Sequence, residues 1–247
     1  MKPRIVGRLG LADAVTIANA AIGFFAVIAA TIDPGLAARL VLLAAVADGL
    51  DGVIARHVGS TPAGKYLDSL ADVSSFALAP AAIVFAIAYD AWGPWSDPLS
   101  VTALAAIGIP ALFVAMAVAR LGMYTAYDAT DTRTLGTPTT LAATVLAAAV
   151  LAGHGDPAIL MVGAAAFCYL MVSSIEYPDL LARDALLMGV VHGLAVIAPE
   201  FYGRTFPYAL LTLALAYLLF APWFYWGETE RRAGDVDDPR ADVTENT

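Results

Sequence analysis

Cysteine is nearly missing from this 247-residue chain: Cys168 stands alone, inside an apolar run. A single thiol builds neither a disulfide framework nor a zinc site of the cysteine type, and in that setting it is a small buried hydrophobe. Charge is scarce too. Only 14% of residues are charged while 60% are hydrophobic, and mean hydropathy is +0.74. Soluble domains are about 45–50% apolar, so this composition belongs to a helical integral membrane protein. There is no basic excess; the formal net charge of −9 argues against nucleic acid as a partner. No repeat of solenoid period occurs, and no linker divides soluble domains. The basic opening MKPRIVGRLG is followed by no small-residue cleavage site, so it reads as mature protein with the first apolar run kept as a span.

Eight apolar stretches approach the roughly twenty residues that cross ~30 Å of hydrocarbon as helix. They are 11–32, 36–57, 66–90, 99–121, 138–153, 158–175, 184–199 and 207–227. The stretches 138–153 and 184–199 are short enough to be tilted, re-entrant or partly interfacial. The expected fold is an all-α integral membrane bundle of six to eight transmembrane helices. Residues 1–227 form one domain. Residues 228–247, with seven acids against three Arg, form an acidic, disordered tail. Such an acidic balance is compatible with a high-salt proteome. With a cytoplasmic N-terminus and eight alternating spans, the cytoplasmic side receives Lys2, Arg4, Arg8, Arg56, Lys65, Arg120, Arg133, Arg183, Arg231, Arg232 and Arg240. Only Arg39 and Arg204 fall on the other side. The expected location is the cytoplasmic membrane, multi-pass, with both termini cytoplasmic. Trp92, Trp95, Trp223 and Trp226 read as interfacial belt residues. His154 and His192 receive no role.

Against this apolar background, residues 47–76 carry four aspartates: Asp48, Asp51, Asp68 and Asp72. Spacings of three and four put each pair on one helix face. The Gly- and Pro-containing HVGSTPAG between them is long enough to reverse the chain. Two antiparallel helices then aim four acids at one another. An acid at mid-bilayer costs about 2.5–3.5 kcal/mol on insertion scales, so four together require a compensating charge. Carboxylates suit Mg²⁺, Mn²⁺ or Ca²⁺, and two pairs can hold two ions for displacement at phosphorus. Gly52 permits close approach, Arg56 lies two turns from Asp48, and Gly64 opens the second helix beside Lys65. Acids for metal, with Arg and Lys for phosphate, point to a diphosphate substrate, and the membrane setting points to a lipid on one end.

The pattern Asp48-x-x-Asp51-Gly52-x-x-Ala55-Arg56, then Gly64-x-x-x-Asp68-x-x-x-Asp72, resembles the signature of the CDP-alcohol phosphotransferase (CDP-alcohol phosphatidyltransferase) superfamily. Seven residues separate Arg56 from Gly64, where family members commonly have eight. Secondary matches resemble the phosphatidylserine synthase branch: Ser75-Phe76, Ala79-Pro80, Ala119-Arg120-Leu121, Leu135-Gly136-Thr137-Pro138-Thr139, Tyr177-Pro178, and Thr16-Ile17-Ala18-Asn19 with Gly23. The acidic tail and Ala-rich spans look like a halophilic archaeal version of that branch.

The resemblance implies transfer of a phosphatidyl or archaetidyl group from a CDP-lipid to the hydroxyl of L-serine, with release of CMP. It implies Asp48, Asp51, Asp68 and Asp72 as ligands of two divalent ions, Asp72 also as general base, and a homodimer. Gly52, Arg56, Gly64 and Lys65 are the candidates for the CDP phosphates. Serine's carboxylate needs a cation, for which Arg120 and Arg133 are favoured over Arg183. The loop Tyr124–Thr140 holds Arg133 as its only basic residue, which favours an unphosphorylated acceptor over glycerol phosphate or inositol phosphate; glycerol is a further alternative. A cation- or proton-coupled transporter would spread its acids over several spans and show repeats or broken helix pairs. Thr16 and Asn19 are candidates for hydrogen bonds to neighbouring helices.

Overall fold

Helix boundaries follow the chain's punctuation. The computed structural model describes residues 8–93, 95, 97–128, 133–178 and 182–224. Trp226 and the acidic tail 228–247 lie outside the described residues. The first helix, α1, spans Leu11–Ala30. At the start of α2 (Pro34–Val58), Asp33 accepts hydrogen bonds from the N–H groups of Gly35 (2.8 Å) and Leu36 (3.2 Å), with Pro34 in the first turn where its missing donor costs nothing. After a turn at 59–63 come α3 (Gly64–Asp72), a π-helical segment π1 (Val73–Leu78) and α4 (Ala79–Trp92) in one continuous rod. Ser100 caps α5 (Val101–Met123), which runs into a second π segment, π2 (Tyr124–Asp128). The chain ends through α6 (Thr139–Leu151), α7 (Pro157–Leu170), α8 (Ala182–Ile197) and α9 (Thr205–Phe224).

Among the described residues, four segments are long and apolar enough to cross a membrane: Leu11–Ala30, Gly64–Trp92, Val101–Tyr127 and Thr205–Trp223. Three shorter apolar helices accompany them. With 25 residues, α2 is about 37 Å long, although it carries Arg39, Asp48, Asp51 and Arg56. The protein is an all-α membrane protein. Its interior is built from small residues, with Ala37, Ala38, Ala44, Ala143, Ala147 and Ala148 all fully or almost fully buried. Large apolar side chains such as Phe24, Phe25, Leu104 and Val162 face outward. Hydrocarbon exerts no hydrophobic drive between helices, so close backbone approach through alanine holds such a bundle together.

Two features depart from the sequence expectation. The apolar stretch 158–175 stops being helix at Leu170, because Gly136 and Thr137 donate their backbone N–H groups to the carbonyls of Ile175 and Leu170. Gly136 has φ +72° and lies against the Met171 carbonyl, a position without room for a Cβ. The stretch Tyr124–Thr140 is also more than a loop. Its residues Arg133–Leu135 form β1, paired antiparallel with β2 (Glu176–Pro178), Thr134 opposite Tyr177. On α9, Tyr217 donates to the Pro178 carbonyl at 2.6 Å and ties this two-stranded ribbon to the bundle.

Candidate active site

Past the 59–63 turn α3 packs against α1, and three carboxylates from α2 and α3 come together. Asp48 on α2 and Asp68 and Asp72 on α3 each offer an oxygen, and these atoms all lie within 4.8 Å of one another. Asp72 is buried, while Asp48 and Asp68 are half-buried. Like charges at such a separation repel by about 3 kcal/mol per pair at an effective dielectric near 20. One Asp72 oxygen, Oδ1, is buried without a hydrogen-bond partner among the described residues. Oxygen ligands from two helices, one of them orphaned, form the hard donor set that a divalent cation takes. The residues present therefore fit such an ion.

Asp51 lies outside that group of three. It is buried, and its Oδ2 accepts a 2.5 Å hydrogen bond from the Thr16 hydroxyl on α1. It remains within electrostatic range of Asp48, Asp68 and Asp72. Asp68 and Asp72 turn their carboxylates to Asp48 of α2, while α3 and π1 both pack against α1. Ser74 Oγ donates to the Ala20 carbonyl (3.0 Å) and Ser75 Oγ to that of Asn19 (2.9 Å). π-bulges recur at functional sites.

The cluster opens onto a cavity of about 970 Å³. Asp48, Asp51 and Asp68 line its polar head together with Gly52 and the exposed Arg56. Gly52 leaves open space facing Arg56, whose Nη1 would be 3.8 Å from an added Cβ. Its apolar flank comes from α6, α8 and α9, including Leu141, Leu186, Met188 and Tyr217. The structure does not bring the remaining phosphate candidates into this lining. Gly64 packs toward Asp13, whose Oδ1 would be 3.4 Å from a Cβ there, and the exposed Lys65 lies 5.0 Å over the Tyr66 ring.

Of the acceptor candidates, Arg120 is buried on α5, 5.0 Å from the Tyr124 ring centre and in electrostatic range of Asp72. The Arg133 and Arg183 side chains lie outside the described residues. Ser69, between the two α3 acids, hydrogen-bonds Thr125 of π2 and ties α3 to that end of α5.

Sequence reasoning passed over His192 and Asp13, while Tyr177 stood in the Tyr177-Pro178 match. His192, given no role, lines the cavity; its Nδ1 faces the Met188 carbonyl at 2.7 Å and its Nε2 faces Thr144 Oγ1 at 3.3 Å. An ionisable residue in the middle of an apolar span was the available signal. Tyr177 is buried in the cavity wall, its hydroxyl near Thr137 and the Leu218 carbonyl. Asp13 is buried at the start of α1, where Oδ2 accepts from Gly10 N–H (2.7 Å) and from the Thr61 hydroxyl (2.9 Å). Its place three residues after Gly10 was the signal for the first of those bonds.

Comparison with known proteins adds to this geometry. A family model described as CDP-alcohol phosphatidyltransferase matches residues 9–175. The chain is 31% identical over 183 residues to archaetidylserine synthase of Methanothermobacter thermautotrophicus, covering 71% of this chain and 72% of that one. It is 40% identical over 90 residues to CDP-diacylglycerol–serine O-phosphatidyltransferase of Saccharomyces cerevisiae, 33% of each chain. The protein of the same description from Mycobacterium leprae is 44% identical over 54 residues, 22% of this chain and 18% of that one. The family match ends before α8.

Proposed function

The chain belongs to the CDP-alcohol phosphatidyltransferase family, and on that premise we propose that it transfers the phosphatidyl or archaetidyl group of a CDP-lipid to the hydroxyl of L-serine. One observation carries this reading: three carboxylates gather within 4.8 Å, and two of them, Asp48 and Asp68, line the polar head of a largely apolar cavity that also has Arg56 in its wall. Such a site takes a charged diphosphate at one end and hydrocarbon at the other. The archaetidylserine synthase relative, matched over most of both chains, supports serine as acceptor and a CDP-archaeol donor; the shorter matches to diacylglycerol-using enzymes keep CDP-diacylglycerol as the alternative donor. The Lys/Arg distribution supports a cytoplasmic site, where serine and CMP are soluble.

Asp48, Asp68 and Asp72, with Asp51, are the proposed holders of divalent cations, Mg²⁺ or Mn²⁺. When bound, such ions offset charge on diphosphate oxygens during displacement at phosphorus. The chain's own groups do the rest. Arg56 grips the diphosphate by charge-assisted hydrogen bonds, and Gly52 leaves it room. Arg120 receives serine's carboxylate from within the bundle, with Arg133 as a second cation from β1. The Asp72 carboxylate takes the proton of the serine hydroxyl as the serine oxygen bonds to the lipid-bearing phosphorus. The bond from that phosphorus to CMP breaks, and CMP leaves with the electron pair. The wall from α6, α8 and α9 holds the lipid and excludes water.

The test is CMP release by purified protein given CDP-archaeol or CDP-diacylglycerol, Mn²⁺ and one alcohol at a time. Serine-dependent release is expected. Release that ignores serine but follows glycerol phosphate, inositol phosphate or glycerol would reassign the acceptor. In the same assay Asp72→Asn lowers kcat by about 10²–10⁴-fold, the span of a lost general base; normal turnover would remove Asp72 from that role.

A further inference from the structure

On its inward face α1 carries a polar stripe, Asp13, Thr16 and Asn19, each buried in a helix that otherwise presents apolar side chains to its surroundings. Each residue of the stripe has a contact on the catalytic half of the molecule. Asp13 holds the Thr61 hydroxyl in the turn between α2 and α3. Asn19 meets Ser75, three residues past Asp72. Thr16 alone touches a site carboxylate, donating to Asp51 Oδ2 at 2.5 Å.

We propose that Thr16 is a positioning residue for Asp51: its hydroxyl fixes the carboxylate's rotation, leaving Oδ1 as the oxygen offered to a divalent cation in the cavity. This rests on the metal-dependent reading above. A carboxylate has two oxygens, and the three other acids already converge without Asp51. Left to itself, Asp51 would swing to relieve repulsion with them. A hydroxyl at 2.5 Å lies in the range of charge-assisted O–H···O⁻ bonds, about twice as strong as neutral ones. The same hydroxyl is 3.1 Å from the Ala12 carbonyl, so its one proton has a weaker alternative and favours the charged partner. Threonine suits the task because β-branching limits χ1 in a helix, and the hydroxyl is aimed before any ion arrives. Partners of this kind, one bond removed from the ion, typically change metal affinity 10–100-fold when lost.

The experiment is Mn²⁺ titration of the purified full chain in detergent, followed by the electron paramagnetic resonance of free Mn²⁺. Thr16→Val keeps shape and removes the donor; Thr16→Ser keeps the donor. Thr16→Val should weaken Mn²⁺ binding at least tenfold, and Thr16→Ser should stay within about threefold of the parent chain. In an Asp51→Asn background, Thr16→Val should add less than twofold, since the hydroxyl acts through that carboxylate. If Thr16→Val is not recovered folded, Thr16→Ala takes its place in each comparison. Equal binding by Thr16→Val and the parent overturns the proposal. So does equal weakening by Ser and Val, which would show that keeping the hydroxyl does not preserve binding, and so does a full effect in the Asp51→Asn background. Should the parent bind Mn²⁺ no better than Asp68→Asn, the metal-dependent reading itself fails, an outcome distinct from the others, and the proposal falls with it.

Discussion

Replacing Gly23 by alanine should destabilise the protein, against the sign that helix propensity gives. In a helix interior, alanine is better than glycine by about 0.5–1 kcal/mol. At Gly23, however, an added Cβ would lie 2.6 Å from Ser75 Oγ, 2.7 Å from the carbonyl carbon of Ser74 and 2.7 Å from Ser74 Oγ. Two of these atoms can turn away; the carbonyl carbon cannot. Carbon atoms pack at about 3.5–4.0 Å, so α1 and π1 must separate by about 1 Å. Overpacking of that kind costs about 1–3 kcal/mol. Separation also stretches the Ser74–Ala20 and Ser75–Asn19 hydrogen bonds, now 3.0 and 2.9 Å and worth about 1 kcal/mol each. Set against the propensity gain, the net loss is about 2–4 kcal/mol, which for a chain of this size lowers Tm by about 5–15 °C. Thermal unfolding followed by intrinsic fluorescence in detergent measures it. Gly108→Ala is the control, because a Cβ there meets nothing within 4 Å and should leave Tm unchanged or slightly raised. A Gly23→Ala protein as stable as the Gly108→Ala protein would refute the close approach of α1 to π1.

Three further outcomes follow from the site. In chelator-treated protein, Asp68→Asn removes one member of a mutually repelling trio and should raise Tm, while turnover falls at least a hundredfold; a lowered Tm would mean the acids are not crowded as described. Arg56→Ala should raise KM for CDP-lipid about 10–100-fold, the value of one charged hydrogen bond at about 1.5–3 kcal/mol, with Arg56→Lys restoring it only in part; an unchanged KM removes Arg56 from diphosphate binding. Gly189 lines the cavity with open space where its side chain would start. Gly189→Trp should fill the α8 wall and raise KM for CDP-lipid about tenfold without altering Mn²⁺ affinity; wild-type kinetics would show that the lipid lies elsewhere.

Apolar runs and helix punctuation made the helices legible. The expected 36–57 and 184–199 became Pro34–Val58 and Ala182–Ile197, shifted by one or two residues where Asp33-Pro34 and similar signals set the true start. The aspartates were legible because their spacings are helical and the polar turn between them had to reverse. What the sequence hid were contacts between distant segments. Nothing in VSSFAL marks a π segment, since its register is imposed by Ser74 and Ser75 reaching α1. Three-residue strands such as RTL and EYP carry no periodicity, and their pairing spans some forty positions. Asp13 reads as an ordinary first-turn acid until Thr61, 48 residues away, is placed against it.

The division of labour within the molecule explains why the chemistry reads more easily than the lipid. In the proposed reaction, displacement at phosphorus needs oxygens at fixed places, and α2 and α3 supply Asp48, Asp51, Asp68 and Asp72 while Thr16 of α1 holds Asp51. Moving any of them changes interactions that strengthen on the way to the transition state, so losses there fall on kcat and metal affinity. The wall from α8 and α9 lies beyond the family-matched segment, and in the proposed reaction it meets the substrate far from the bond that breaks. Contacts of that sort are much the same in the ground and transition states, so changes there fall on KM. A wall with no demand beyond an apolar surface of the right width can be rebuilt for ether or ester lipids without disturbing the acids. Leu186→Ala and Met188→Ala, each widening that wall, should therefore shift the ratio of KM values for CDP-archaeol and CDP-diacylglycerol while kcat with each donor holds. A matching fall in kcat with both donors would mean that α8 takes part in aligning phosphorus, and the two halves of the cavity could not then be separated.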